Sequence, residues 1–290
     1  MQEWAGVSGK RVLITGATRG IGLAAAEELF RRGAQLALVA RSEARAAAAI
    51  ARIQSAGAAS DVDVLLADLS SQASVRELAA EALHRYQRID VLVNNAGAMY
   101  SRRQLTPDGI ELTWAVNHLA PFLLTTTLLD RIKESAPARI ITTASDAHEG
   151  HAIPFDDLGA ERSYGKRGFA RYGETKLANI LFTVELARRV QGTGVTANCF
   201  HPGMVATGFN RNNGALMSGV MTLIRPFSRS PTKGAETLVW LADSPEAGDE
   251  TGGYFVDMRR ATPSRPATDT DAAVRLWQVS DEQTKTLVAR

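Results

Sequence analysis

The stretch Arg11-Val12-Leu13-Ile14-Thr15-Gly16-Ala17-Thr18-Arg19-Gly20-Ile21-Gly22 decides the fold. It opens as a short β-rich run and breaks into glycines. It then enters a segment of helical composition, residues 20–32, that Gly33 closes. Glycine allows a tight turn and lets a ligand approach the backbone. A helix that starts at such a turn offers unpaired amides and the positive end of its dipole, which suits a pyrophosphate. The spacing Gly16, Gly20, Gly22 differs from Gly-x-Gly-x-x-Gly. Its place at the first strand-to-helix junction is what gives it weight.

The same alternation continues along the chain. Strand-like runs fall at residues 36–40, 62–66, 89–93, 140–143, 195–200 and 254–256, and helical segments at 43–56, 71–87, 109–134, 170–191 and 232–243. Near-continuous apolar strands between helices predict an α/β fold. The expected form is a single domain over 1–290, a doubly wound parallel sheet of about seven strands with helices on both faces. Two long irregular stretches, 146–169 and 203–231, are expected to be substrate loops.

Composition sets the outer limits. The chain has 290 residues, 45% of them hydrophobic and 22% charged, with a formal net charge of +2. This is ample for one large core and offers no basic surface for nucleic acid. The single cysteine, Cys199, sits in an apolar strand and reads as a core residue in a reducing, cytoplasmic setting. Residues 1–10 hold no long apolar run, so neither signal peptide nor transmembrane anchor is expected.

At the cofactor end, the second strand closes on Ala40-Arg41-Ser42, where NAD-binding chains place a carboxylate for the ribose hydroxyl. Arg41 and Arg19 instead suit a 2′-phosphate, which predicts NADP(H). Asp68 is read either as an acceptor for the adenine amine or as a cap for the following helix. At the chemical end, Tyr172 and Lys176 lie four apart on a predicted helix and so share one face. Bringing a phenol pKa of about 10 down to neutrality takes roughly 4 kcal/mol of interaction, which a nearby Lys cation and a cationic nicotinamide ring can supply in a poorly solvated cleft. Ser145 follows the fifth strand, at the sheet edge where ligands bind, with Thr143 as a rival hydroxyl.

With these pieces in order, the chain resembles a short-chain dehydrogenase/reductase, a family of the Rossmann type. The resemblance rests on Thr15-Gly-x-x-x-Gly-Ile-Gly22, Asn94-Asn95-Ala96-Gly97, Asn117, Ser145, Tyr172-x-x-x-Lys176 and Pro202-Gly203. A closer resemblance, to the retinol dehydrogenase-like branch, rests on Trp114-Ala115-Val116-Asn117-His118, Lys176-Leu177-Ala178-Asn179 and Leu276-Trp277.

The resemblance implies a catalytic set of Asn117, Ser145, Tyr172 and Lys176. Tyr172 would exchange the proton and Ser145 would orient the substrate oxygen. Lys176 would hold the nicotinamide ribose and lower the phenol pKa, and Asn117 would keep a water in the relay. It assigns cofactor contacts to Gly16, Thr18, Arg19, Gly20, Ile21 and Gly22 in the first turn, and to Arg41, Asp68 and Leu69 at the adenine side. Asn95, Ala96, Gly97, Tyr172, Lys176, Pro202, Gly203, Val205 and Thr207 complete that set. The implied reaction is hydride transfer between NADP(H) and a carbonyl/alcohol pair, with reduction of a lipophilic aldehyde or ketone expected. A homodimer is the family's usual assembly. A non-catalytic NADP-binding regulator or scaffold is the alternative.

His148 and His151 lack the further ligands that a metal site needs, so none is expected. His201 is read as packing at a strand end. The apolar stretch 215–227 reads either as pocket lining or as a membrane-resting segment.

Overall fold

The computed structural model describes residues 4–55, 57, 61–205 and 228–285. Eight strands form one sheet in the order β3-β2-β1-β4-β5-β6-β7-β8. They are β1 Arg11–Thr15, β2 Gln35–Ala40, β3 Val62–Leu66, β4 Val91–Asn94, β5 Ala138–Thr143, β6 Val195–His201, β7 Tyr254–Val256 and β8 Arg259–Ala261. All neighbours are parallel except β7 and β8. Val12 pairs with Leu36 on one side and Val91 on the other. The strand order therefore reverses beside β1, and a crevice opens there at the carboxyl edge.

The helices are α1 Gly20–Arg31, α2 Glu43–Gln54, α3 Gln72–Arg85, α4 Leu112–Trp114, α5 Ala120–Glu134, α6 Phe169–Arg189, α7 Pro231–Asp243 and α8 Thr270–Lys285. One core lies under α1 and α7, with Leu29, Phe30, Leu238 and Phe255. A second lies under α3, α5 and α6, with Leu78, Phe122, Leu128 and Phe182, and a third gathers Trp114, Leu177, Leu181 and Leu276. Each such side chain stabilises the fold by about 1.5–3 kcal/mol on burial.

Three features depart from the expected pattern. The eighth strand, β8, follows a two-residue turn in which Asp257 (φ 50°) and Met258 (φ 60°) are both left-handed, the geometry that suits a twisted hairpin. Its Arg-Arg-Ala sequence is too short and polar to read as a strand. The helical region expected over 109–134 is split by a π-helical turn, Ala115–Leu119. Pro121 has no amide to give the Asn117 carbonyl, so the regular ladder breaks there. Helix α8 was not anticipated.

A buried ion pair fastens α4 to α6. Arg171 Nε donates to Glu111 Oε2 at 2.7 Å, and both side chains are fully buried. Glu111 also accepts from the Thr113 and Trp114 amides at 2.8 and 2.9 Å, capping α4. The guanidinium lies over the Trp114 ring at 4.8 Å and reaches Glu174 and the Leu158 carbonyl. Glu111→Ala leaves that cation without its main partner in the core. It should lower the unfolding free energy by about 3–5 kcal/mol in a urea titration.

Candidate active site

The crevice is a cavity of about 800 Å³ along the carboxyl edge of the sheet. Gly16, Thr18, Arg19, Gly20, Ile21 and Gly22 form its floor at one end, with Arg41, Asp68 and Leu69 beside them. Asn95, Ala96 and Gly97 form the middle, and Pro202, Gly203 and Val205 the facing rim. Ser145, Tyr172 and Lys176 line the other end. Asn117 is buried just behind this wall, and Thr207 lies outside the described residues, as does the 215–227 stretch.

The first turn fits a closely approaching ligand. Gly16 has φ 69°, and a Cβ there would stand 2.8 Å from the Ala96 Cα. A Cβ on Gly22 would meet Asn95 Nδ2 and the Gly16 carbonyl at 2.4 Å. No side chain caps the start of α1, so the amides of its first turn are left for a partner of another kind. The cradle thus suits the diphosphate of a dinucleotide. Asn95 stitches the floor together: its amide and that of Ala96 donate to Thr15 Oγ1 at 3.0 Å, and Nδ2 donates to the Thr15 carbonyl at 3.1 Å. Thr143 Oγ1 donates to Asn95 Oδ1, which ties up the hydroxyl that rivalled Ser145.

Asp68 is not the helix cap. Ser71 caps α3 by accepting from the Ser74 amide, while Asp68 Oδ1 accepts from Ser70 two residues on. Near Arg41, Arg45 on α2 also lines the cavity. Its place in the first turn of α2, just after the β2 end that carries Arg41, is the sequence signal for it.

At the chemical end the Ser145 hydroxyl lies close enough to Tyr172 to act on its phenol, and it donates to Asp146 Oδ1 at 3.0 Å. Burial pushes the phenol above its ordinary value of 10, the Ser145 hydroxyl pulls it down, and the Asp146 carboxylate raises it further. Burial is the dominant influence on the phenol here. Lys176 Nζ lies 5.4 Å from the phenol ring centroid and donates to the Thr143 carbonyl at 2.8 Å. Burial lowers its pKa from 10.5 to about 8. Asn117 Nδ2 donates to the Ala98 carbonyl at 2.9 Å and to Thr175 Oγ1 at 3.1 Å, and Oδ1 accepts from the Ala98 amide at 2.8 Å. The side chain therefore braces the Asn95–Ala98 loop against α6.

His201 lies at the end of β6, where its Nδ1 accepts from the Asp146 amide at 3.2 Å. His148 is fully buried, and among the described residues no group of ligands suits a metal. The far wall includes Leu112, Val116 and Phe169, with Tyr100 and Met204 nearby. Tyr100, Leu112 and Val116 lie outside both expected substrate loops. No periodicity marks which residues after Gly97 turn into the cavity.

This crevice, with its glycine cradle and its Ser–Tyr–Lys wall, is that of a nucleotide-dependent oxidoreductase. The sequence profile described as short chain dehydrogenase matches residues 10–216. The chain belongs to the short-chain dehydrogenase/reductase family. It is 42% identical to mouse retinol dehydrogenase 12, covering 95% of this chain and 86% of that protein. It is also 42% identical to DnrU of Streptomyces sp. (strain C5), named for daunorubicin C-13 ketoreduction, covering 95% and 92%. A Burkholderia cenocepacia short chain dehydrogenase solved with NADP is 28% identical at a TM-score of 0.68, covering 86% of this chain and 96% of that one. The chain is accordingly an oxidoreductase acting on CH–OH/carbonyl groups with a nicotinamide cofactor. Among the described residues no helix is long and apolar enough to cross a membrane.

Gly22→Ala puts a methyl group into the Gly16 carbonyl and Asn95. It should abolish detectable NADPH binding by fluorescence titration while a thermal melt stays cooperative.

Proposed function

We propose that the chain is an NADPH-dependent reductase of a lipophilic aldehyde or ketone, with Tyr172 as the proton donor. The observation that carries this is that Ser145, Tyr172 and Lys176 line one wall of a cavity continuous with the glycine cradle. Both hydroxyls can meet one carbonyl oxygen. Bound NADPH supplies the hydride to the carbonyl carbon. Ser145 orients the oxygen by donating to it, and Tyr172 passes its phenolic proton to the same oxygen as negative charge develops there. The raised phenol pKa keeps that proton in place at neutral pH, the form reduction requires. Lys176, held by the Thr143 carbonyl of β5, would hold the cofactor ribose, and Asn117 keeps α6 and the Asn95–Ala98 loop in register.

Cofactor choice follows from charge. Arg19, Arg41 and Arg45 line the adenine end, and a 2′-phosphate suits them where a bare ribose does not. A lipophilic substrate is supported by Leu112, Val116, Phe169 and Met204 in the lining. The names of the relatives also carry large apolar molecules, retinol and daunorubicin. A cytoplasmic setting accords with the lone, buried thiol of Cys199.

Tyr172→Phe should lower kcat by about 10³-fold or more, since the donor is removed outright, with NADPH affinity unchanged. Turnover near the wild-type rate would remove Tyr172 from the mechanism. The kcat/KM for NADPH should exceed that for NADH, and Arg41→Ala should narrow the ratio by about tenfold, the worth of one charge-assisted contact. Equal values for the two cofactors in the wild type would sink the arginine argument. Lys176 is protonated below its pKa and neutral above it. Reductase activity should therefore fall as pH rises through about 8. A flat profile to pH 10 would show that its charge is not needed.

A further inference from the structure

We infer that His148 is a positioning residue that aims the Ser145 hydroxyl, an inference that rests on the reading of Ser145 given above. His148 is fully buried on the turn directly after Ser145 and takes no part in the reaction as derived. Its Nδ1 lies 2.7 Å from the Ser145 carbonyl oxygen. A carbonyl can only accept, so Nδ1 carries the proton. Its Nε2 accepts from the Ser264 amide at 3.0 Å. An amide can only donate, so Nε2 is the acceptor, and one orientation of the ring satisfies both contacts. The ring packs edge-on against Tyr254 of β7 at 5.3 Å, which leaves it little room to turn.

The Ser145 carbonyl is thus gripped twice, by this ring and by the His148 amide at 3.3 Å. The rest of the turn is pressed from the other side. A Cβ on Gly173, the neighbour of Tyr172, would stand 2.5 Å from the Ala147 carbonyl and 2.2 Å from His151 Cδ2. The turn therefore sits directly on the catalytic helix, and His148 is the strut that holds it there from the C-terminal segment. Within the turn, the Ser145 hydroxyl accepts from the Ala147 amide at 3.1 Å and donates to Asp146 Oδ1 at 3.0 Å, so both its partners belong to the backbone segment that His148 fixes. An error of about 1 Å in a reacting group is enough to cost on the order of a hundredfold in rate.

The test is a double-mutant cycle with Ser145, using NADPH and 9,10-phenanthrenequinone as the probe. His148→Ala should lower kcat by about a hundredfold in the wild type with the Kd for NADPH unchanged. In a Ser145→Ala background it should lower kcat by less than about twofold, because the group it aims is gone. His148→Asn, whose side-chain amide can still donate to the Ser145 carbonyl, should recover part of the loss. It replaces the alanine variant in the cycle if that variant does not fold. A merely structural histidine would cost the same factor in both backgrounds, and that result overturns the inference. Should Ser145→Ala itself leave kcat unchanged, the assignment of Ser145 falls and the inference falls with it. Equal factors beside a slow Ser145→Ala count against His148 alone.

Discussion

The buried pair of Arg171 and Glu111 is the contact on which the site's geometry depends. Two charges removed from water are tolerated only when nearly every donor and acceptor finds a partner, and here they do. Glu111 caps α4 and meets the Tyr164 hydroxyl, whereas Arg171 reaches Glu174, the Leu158 carbonyl and the Trp114 ring. Three segments distant in sequence are thereby held together: the entry to the π-turn, the loop after Ser145, and the first turn of the catalytic helix. Tyr172 follows Arg171 directly, so the phenol inherits its position from an ion pair that never touches substrate.

The π-turn is a second fixed point. Pro121 disrupts the ladder at Asn117, and the widened turn leaves the Asn117 side chain free to brace two neighbours at once. The helix is weakened locally, and Trp114, His118 and Phe122 repair it by packing as an aromatic series against Phe182 and Trp277. The His118 ring, buried and driven to a pKa of about 3 by desolvation, stays neutral and meets Ser280 Oγ at 2.7 Å.

Much of this was legible beforehand because it depends on local chemistry. The glycine turn, the seven apolar strands and the four-residue spacing of Tyr172 and Lys176 each follow from backbone sterics or helix periodicity, and each falls where expected. The cavity brings Ser145, Tyr172, Lys176, Arg19 and Arg41 to one crevice. What escaped depends on contacts between distant segments or on too few residues. Strand β8 has three polar residues and pairs only because Asp257 and Met258 turn the chain. Helix α8 carries an ordinary mixed composition, and its apolar face has meaning only against α6. Burial raises the Tyr172 phenol pKa, an influence hidden from the sequence because charge can be read there, whereas desolvation cannot.

Helix α8 also bears on how the site is put together. Trp114 Nε1 donates to Gln283 Oε1 at 2.9 Å, and Gln72 donates to the Gln283 carbonyl at 3.0 Å. With Ser280 on His118, residues near the end of the chain lock a helix turn that lies before its midpoint. The packing around Asn117 is therefore complete only once residue 283 is in place, which makes this wall of the site a non-local feature of the fold.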